Sequence, residues 1–444
     1  MRALVCSSLV CLSLLMIPSM AEASFFELYG FNPRGLGMAS AQLALANDYT
    51  AVFYNPAGLA TTTSVEGFGV LVAAPSLEVS FERSDTKWAA LEPPSATNLT
   101  FGASIPVGTS AVPAAFGVGF GLPTTSLLAG RALDSEIPQW VMYEALPNRI
   151  VALLGFGIRP IPWLSVGASV QVLAALEGSL DFELDVVAGR FSEKTVRFDI
   201  TPRAAPVVGL LVEPLPGAKL GLVWRGSLAT DVSLPVYLDV TSLATLSIAT
   251  SFIVQYQPHR VLLGVSYRFE QLDLVADVEA GLELWSAAPD PSVDSVLDAS
   301  GELLEGTGLA DALDAPAPGQ ERIVSLGYRN VVVPKLGVEK RFGTSGVSLR
   351  AGYSIRPSPS PVQATGTNYV DGTAHTVAAG ASLELSRVIS GFEAPLTLDA
   401  GLGISVLPSR RHDKIAADDP VGSFEAGGTI FSAGLSIRYG VVNG

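Results

Sequence analysis

Four arginines, Arg225, Arg268, Arg350 and Arg356, fall in stretches where apolar residues alternate with small or polar ones, and each shares a face with the small and polar set. A guanidinium on such a face, shut away from water, requires an anionic partner, and a carboxylate suits its planar donors. Two partners are available. One is a ligand that carries a carboxylate. The other is the chain itself, because alternation turns Asp273, Asp277, Glu279 and Asp399 to the same side, with Arg268 and Asp273 meeting across a short turn.

Catalysis is poorly provided for. The histidines are His259, His375 and His412, there is no G-x-S-x-G and no H-E-x-x-H, and the face carrying His375 also carries Val377 and Ala379. Nucleophilic and zinc hydrolases need those groups converged on one site, so no catalytic residue is expected. Gly35 and Gly37 have the G-x-G form of a phosphate loop, but no strand precedes them and no lysine follows at the required spacing. Cys6 and Cys11 are the only cysteines and both lie near the start, which leaves no thiol for a metal or disulfide further on; neither metal nor cofactor is expected. A formal net charge of -15 argues against a nucleic-acid partner.

The elements that position these residues follow from composition. The chain is 48% hydrophobic but only 16% charged, with mean hydropathy +0.41, greasier than a soluble protein of 444 residues. Yet Gly, Pro, Ser or a charge interrupts every apolar run before it is long enough to cross a bilayer as a helix. The remaining way to satisfy a backbone in lipid is a closed barrel, so an all-β transmembrane antiparallel β-barrel is expected.

Residues 1–23 read as a signal peptide, with Arg2, an apolar stretch from Ala3 to Ile17, and Ala21-Glu22-Ala23 as the cleavage site. Residues 63–444 read as the barrel. Its period of two is plainest near the end, where Phe431, Leu435, Ile437 and Tyr439 oppose Ser432, Gly434, Ser436 and Arg438. About fourteen strands are counted, starting near Val65, Ala96, Pro113, Asn148, Trp163, Lys194, Ala218, Leu246, Leu272, Arg329, Val347, Thr373, Pro395 and Gly427. Short links such as Pro160 to Pro162 and Glu270-Gln271 would be periplasmic turns, and Thr124 to Pro147 and Ser286 to Gln320 outer loops. The second outer loop is rich in Asp and Glu with no Lys or Arg; it is read as a solvated loop, with contact to cations or lipopolysaccharide as the other possibility.

Three features bear on function. Gly117, Gly119 and Gly121 face the lumen of the third strand, where they either make room for something inside or mark a bend. Leu122, Leu127, Leu128, Trp140 and Tyr143 make an unusually apolar connection, expected as a ligand groove at the surface, unless the loop folds inward. Residues 24–62 are too rich in Gly, Ala and Asn to be a strand, and their Asn55-Pro56-Ala57 turn would help fold a compact plug.

That plug carries a resemblance. G-L-G-M-A followed by A-L-A-N-D-Y-T-A-V-F-Y-N-P-A-G-L resembles the N-terminal hatch of FadL-type outer-membrane transporters, including their TodX-like branch. Weaker similarity extends to Ala115–Phe120, Leu220–Arg225 and Leu349–Ser354. The resemblance implies passive uptake of hydrophobic compounds, foremost long-chain fatty acids, across a bacterial outer membrane. It implies that Gly35, Gly37, Asn55, Pro56 and Ala57 belong to a hatch held against the wall. It also implies that a kink at Gly117, Gly119 and Gly121 opens the wall sideways. The ending Ser432-x-Gly434-x-x-Ile437-x-Tyr439 resembles the signal read by barrel-assembly machinery. A monomer in contact with outer-membrane lipid and lipopolysaccharide is expected. The alternatives are an aromatic hydrocarbon channel, a polar-solute porin or a surface-structure protein.

Overall fold

The computed structural model describes residues 25–440 except 84–91, 126–137, 141, 144–149, 186–189, 241–243, 289–293, 301–326, 388 and 390–393; for 174–201, 229–255, 294–300 and 344 it describes the backbone alone. The expected signal segment therefore lies outside it, as does most of the acidic loop.

Fourteen antiparallel strands close into a ring: β1 Val65–Phe81, β2 Ala96–Pro106, β3 Ala114–Pro123, β4 Val151–Ile161, β5 Leu164–Asp185, β6 Arg190–Leu215, β7 Ala218–Arg225, β8 Arg260–Phe269, β9 Leu274–Glu283, β10 Val331–Phe342, β11 Val347–Arg356, β12 Ala374–Glu384, β13 Leu396–His412 and β14 Phe424–Gly440. The ring closes where β1 pairs with β14 along its whole length, from Val65 opposite Gly440 to Phe81 opposite Phe424.

Alternation sorts the side chains as the period of two requires. Phe431, Leu435, Ile437 and Tyr439 stand exposed on the outside, while Ser432 and Ser436 are buried inside. Outward-facing Phe68, Phe120, Leu154, Leu222, Leu263, Leu349 and Leu402 continue the apolar band around the circumference. A band of that extent suits only lipid, and the ring is a transmembrane barrel of the outer-membrane type. No helix among the described residues is long and apolar enough to cross a membrane.

Thirteen of the expected strand starts fall on or close to ring strands, and the eighth does not. The stretch from Leu246 belongs to Ala244–Gln257, which pairs with Leu228–Val240 and Asp294–Ser300 in an extension beyond the ring. The ring strand is Arg260–Phe269, separated from that extension by Pro258-His259. Leu228–Val240 also runs parallel to the far end of β5, with Val236 opposite Leu180. The turn expected at Glu270-Gln271 is longer than two residues. Glu270–Leu272 form a 3-10 turn and Asp273 takes a left-handed conformation at φ 47°, so β9 begins at Leu274.

Candidate functional site: hatch, inner network and outer chamber

Residues 25–61 fold as short helices and turns packed against the inside of the ring. Asn32 caps Pro33–Leu36, its Oδ1 accepting from Gly35 N–H at 2.9 Å, with Pro33 at the first position where no N–H is needed. Asn55 plays the same part for Pro56–Thr61, accepting from Ala57 N–H at 3.1 Å. Its amide also donates to the carbonyls of Leu43, within the hatch, and Leu210, on β6, both at 3.1 Å. One side chain thus joins two hatch segments and the wall. Ala57 is buried completely.

The wall admits this packing because it is lined with glycine. Every ring strand except β9 turns at least one glycine to within van der Waals contact of the hatch. A Cβ on Gly352 would stand 2.2 Å from the Met38 carbonyl carbon, one on Gly167 2.3 Å from that of Pro56, and one on Gly209 2.1 Å from Asn55 Oδ1. Within the hatch, a Cβ on Gly35 would stand 1.9 Å from Tyr54 Oη, and one on Gly37 2.8 Å from Gly380 Cα. Gly117, Gly119 and Gly121 follow the rule, with added methyls meeting Leu59, Phe31 and Phe26. The expected kink is not seen there: β3 pairs without register shift from Ala115 to Pro123 with β2 and from Ala114 to Gly121 with β4. In this structure the three glycines make room for the plug, and the wall beside them is closed.

On the inner side an ion-pair chain starts and ends on the hatch. Arg34 meets Glu339 at 2.9 Å, Glu339 meets Arg350 at 2.8 Å, Arg350 meets Asp399 at 3.1 Å, Asp399 meets Arg438 at 2.7 Å, and Arg438 meets Asp48 at 3.1 Å. Burial alone would raise the Asp48 carboxyl, but Arg438 and Arg34 hold it below the usual range. A polar cavity of about 260 Å³ adjoins this chain, lined by Arg34, Asn47, Arg341, Arg387 and others. β9, the strand without a hatch glycine, offers Glu279 instead, which accepts from Leu43 N–H and pairs with Lys335 at 3.6 Å.

The four sequence-predicted arginines therefore separate. Arg350 is committed to the inner chain. Arg225 meets Glu27 of the hatch at 2.8 Å, donates to the Phe53 carbonyl and lies over the Phe53 ring. Glu27 also pairs with Arg260 and accepts from Gln257 at 3.1 Å; burial opposes its charge, yet Arg225 and Arg260 keep its carboxyl below the ordinary value. Arg268 is exposed near the inner mouth and makes no ion pair with Asp273 among the described residues, because the longer turn shifts Asp273 out of register. Two of the four keep a buried donor without a hydrogen-bond partner: Arg225 at Nε, although its other nitrogens are engaged by the hatch, and Arg356 at Nη2.

Arg356 borders a buried apolar cluster above the hatch, next to Tyr29 and Tyr143. Phe25 and Tyr29 come from the first hatch helix, Trp140 and Tyr143 from the loop after β3, and Trp285, Val331, Val333 and Val370 from other outer segments; all belong to one buried cluster. Two loops are stitched over it by a short parallel pair, Gln139–Trp140 with Tyr369–Val370. Trp140 and Tyr143 are thus buried rather than arrayed in an exposed groove: the loop folds inward. Leu122 is half-buried on β3, and Leu127 and Leu128 lie outside the described residues. Burial pushes the Tyr29 and Tyr143 hydroxyls up, and the Arg356 charge opposes the shift at both. Glu27, Arg34, Asp48, Glu339 and Arg438 escaped the sequence reading, although Arg438 does fall on the lumen side of β14.

The Ser–His arrangement nearest to a catalytic pair is inert. His259 Nδ1 accepts from Ser227 N–H at 3.0 Å, so the ring proton sits on Nε2, which faces Ser227 Oγ at 3.0 Å. A protonated Nε2 cannot take the hydroxyl proton.

Fold and interior together define a class: a fourteen-stranded outer-membrane-type barrel plugged by its own N-terminal segment. The chain has the fold of the FadL and TodX barrels. It is similar to a FadL homologue of Pseudomonas aeruginosa at TM-score 0.60 and 15% identity, over 96% of this chain and all of that one. It is also similar to the toluene transporter TodX of P. putida, at TM-score 0.52 and 14% identity, over 94% of this chain and all of that one. The CymD monoaromatic hydrocarbon channel aligns at TM-score 0.50 and 14% identity, over 94% of this chain and 99% of that one. No family model and no curated protein matches the sequence.

Proposed function

We propose that this chain carries hydrophobic small molecules passively across a bacterial outer membrane as a single barrel, and that its cargo includes long-chain fatty acids. The transport reading is supported by the fold shared with a FadL homologue and with TodX, and by a lumen filled by a hatch. The observation that carries the cargo is Arg356, a cation with an unpaired buried donor beside a buried aromatic cluster. An acyl chain gains about 0.8 kcal/mol for each methylene removed from water, so an apolar site opened within this cluster supplies affinity without an energy source. The guanidinium then accounts for the carboxylate, which would be costly to bury alone.

Hydrophobic compounds without a charge are the second reading, favoured by the likeness to TodX and CymD, and they would use the same apolar site without Arg356. The test is uptake of palmitate and toluene by an outer-membrane host lacking its own transporter, complemented with the wild-type chain or with Arg356→Met. Palmitate uptake should fall about tenfold in the variant, the equivalent of one charge-assisted hydrogen bond, while toluene uptake holds. Entry of neither compound above the level of the empty host, with the barrel folded at the surface, rejects transport. Equal palmitate uptake by both chains rejects the role of Arg356.

A further inference from the structure

We propose that the lateral passage between the outer apolar cluster and the membrane lies at the seam between β10 and β11, beside Arg356, and not at β3. This rests on the transport reading above. The β10–β11 ladder runs from Phe342 opposite Val347 out to Lys335 opposite Ser354, and there it stops. Both strands continue: β10 stays paired with β9 as far as Val331 opposite Glu283, and β11 stays paired with β12 as far as Arg356 opposite Ala374. Each has kept its far neighbour and lost the other. The next backbone bond joining these segments is from Arg329 N–H to the Pro359 carbonyl, at 3.1 Å.

The cause is in the sequence. The residue after Lys335 toward the outside is Pro334, which has no N–H to give to a ladder. Proline within a sheet belongs at an edge, and here it creates one inside a closed wall. The unbonded stretch Val331–Pro334 spans about 13 Å at roughly 3.3 Å per residue, enough for the width of an acyl chain or a single ring. Its two sides suit such cargo. Val331 and Val333 turn inward into the apolar cluster, whereas Val332 stands 53% exposed toward lipid. Arg356, with its idle Nη2, occupies the inward side of the same gap. A cargo held by its carboxylate at Arg356 has its tail next to the one stretch of neighbouring wall where strands part without breaking hydrogen bonds. At β3, by contrast, opening would break the ladders that run unbroken past Gly117 and Gly119 on both sides.

The test uses single thiols, since no cysteine follows Cys11. Ile355→Cys places one on the lipid-side position of β11 at the gap, and Phe120→Cys places one on the lipid face of β3. Each is capped with a bulky alkylthiosulfonate that a reductant removes. Palmitate uptake should fall at least several-fold when Ile355→Cys is capped, recover on reduction, and stay unchanged when Phe120→Cys is capped; palmitate binding to the purified barrel should hold throughout. Pro334→Val, which restores an N–H to the seam, should slow uptake without weakening binding. Unchanged uptake with capped Ile355→Cys, or a block by capped Phe120→Cys alone, overturns the passage while leaving transport intact. Failure of the uncapped chains and the wild type to carry either palmitate or toluene rejects transport itself, and the passage with it.

Discussion

The inner and outer ends of the plug are held by opposite means. At the inner end, Arg34 and Asp48 close a circuit of buried ion pairs through Glu339, Arg350, Asp399 and Arg438, and these contacts satisfy charge with charge. At the outer end aromatic rings dominate, and several charged groups retain atoms without hydrogen-bond partners, Arg225 Nε, Arg260 Nε, Arg356 Nη2 and Asp371 Oδ1 among them. Buried pairs fix geometry, and breaking one costs more than it contributed. An unpaired buried charge is held ready for something else. Under the transport proposed above, retention falls to one end of the hatch and reception to the other.

The hardest blow to the retaining end is Gly352→Val. Its Cβ would displace hatch backbone at Met38, which cannot yield as a side chain tip would. The barrel should still form while the plug fails to seat, and planar-bilayer recordings should show a steady ion current absent from the wild type. An equally quiet bilayer would mean that the hatch does not depend on the glycine lining.

Glu339→Gln is next. It leaves Arg34 and Arg350 facing an uncharged amide, at a cost of about 3–5 kcal/mol for a broken buried pair. Hydrogen exchange should speed up in residues 33–54 and remain slow in the ring strands. Asn55→Ala strands the Leu43 and Leu210 carbonyls and the Ala57 N–H, and should cost about 1–3 kcal/mol by the same measurement. If Glu339→Gln left exchange unaltered, the inner chain would not be what holds the plug.

The smallest effect sharpens the receiving end. Burial pushes the Asp371 carboxyl from 3.8 up to about 6, against the pull of Arg356 and Arg410. The folded loop therefore binds more protons than the unfolded one between those values, and its stability falls as pH rises through that window. Above about pH 6 the penalty is constant, and below about pH 4 it is absent. Asp371→Asn should slow proteolysis of the segment from Pro357 to Thr373 at pH 7.5 and make no difference at pH 4. Protection that did not depend on pH would show the loop indifferent to this charge.

Much of this was readable beforehand, for identifiable reasons. The wall was legible because a lipid-facing strand has to alternate, so Phe431 and Leu435 declare one face and Ser432 and Ser436 the other. The eighth strand was misplaced because Ala244–Gln257 alternates just as well in an extension outside the ring, where it pairs with Leu228–Val240. Periodicity reports pairing, not which sheet a strand joins. Gly117, Gly119 and Gly121 were correctly turned inward, but whether they bend a strand or admit a plug depends on Leu59, Phe31 and Phe26, distant in the chain. The fate of the four arginines was out of reach for the same reason: the partners of Arg225 and Arg350 are Glu27, Glu339 and Asp399, and only closure of the ring brings them together.

The glycine lining also bears on how the molecule is built. The hatch comes first in the sequence, touches strands from almost the whole circumference, and is enclosed by a ring whose last joint is β1 against β14. No partial ring offers it a complete socket. Final packing of the plug therefore cannot be complete before the wall closes, so the ring has to form around residues that have yet to seat.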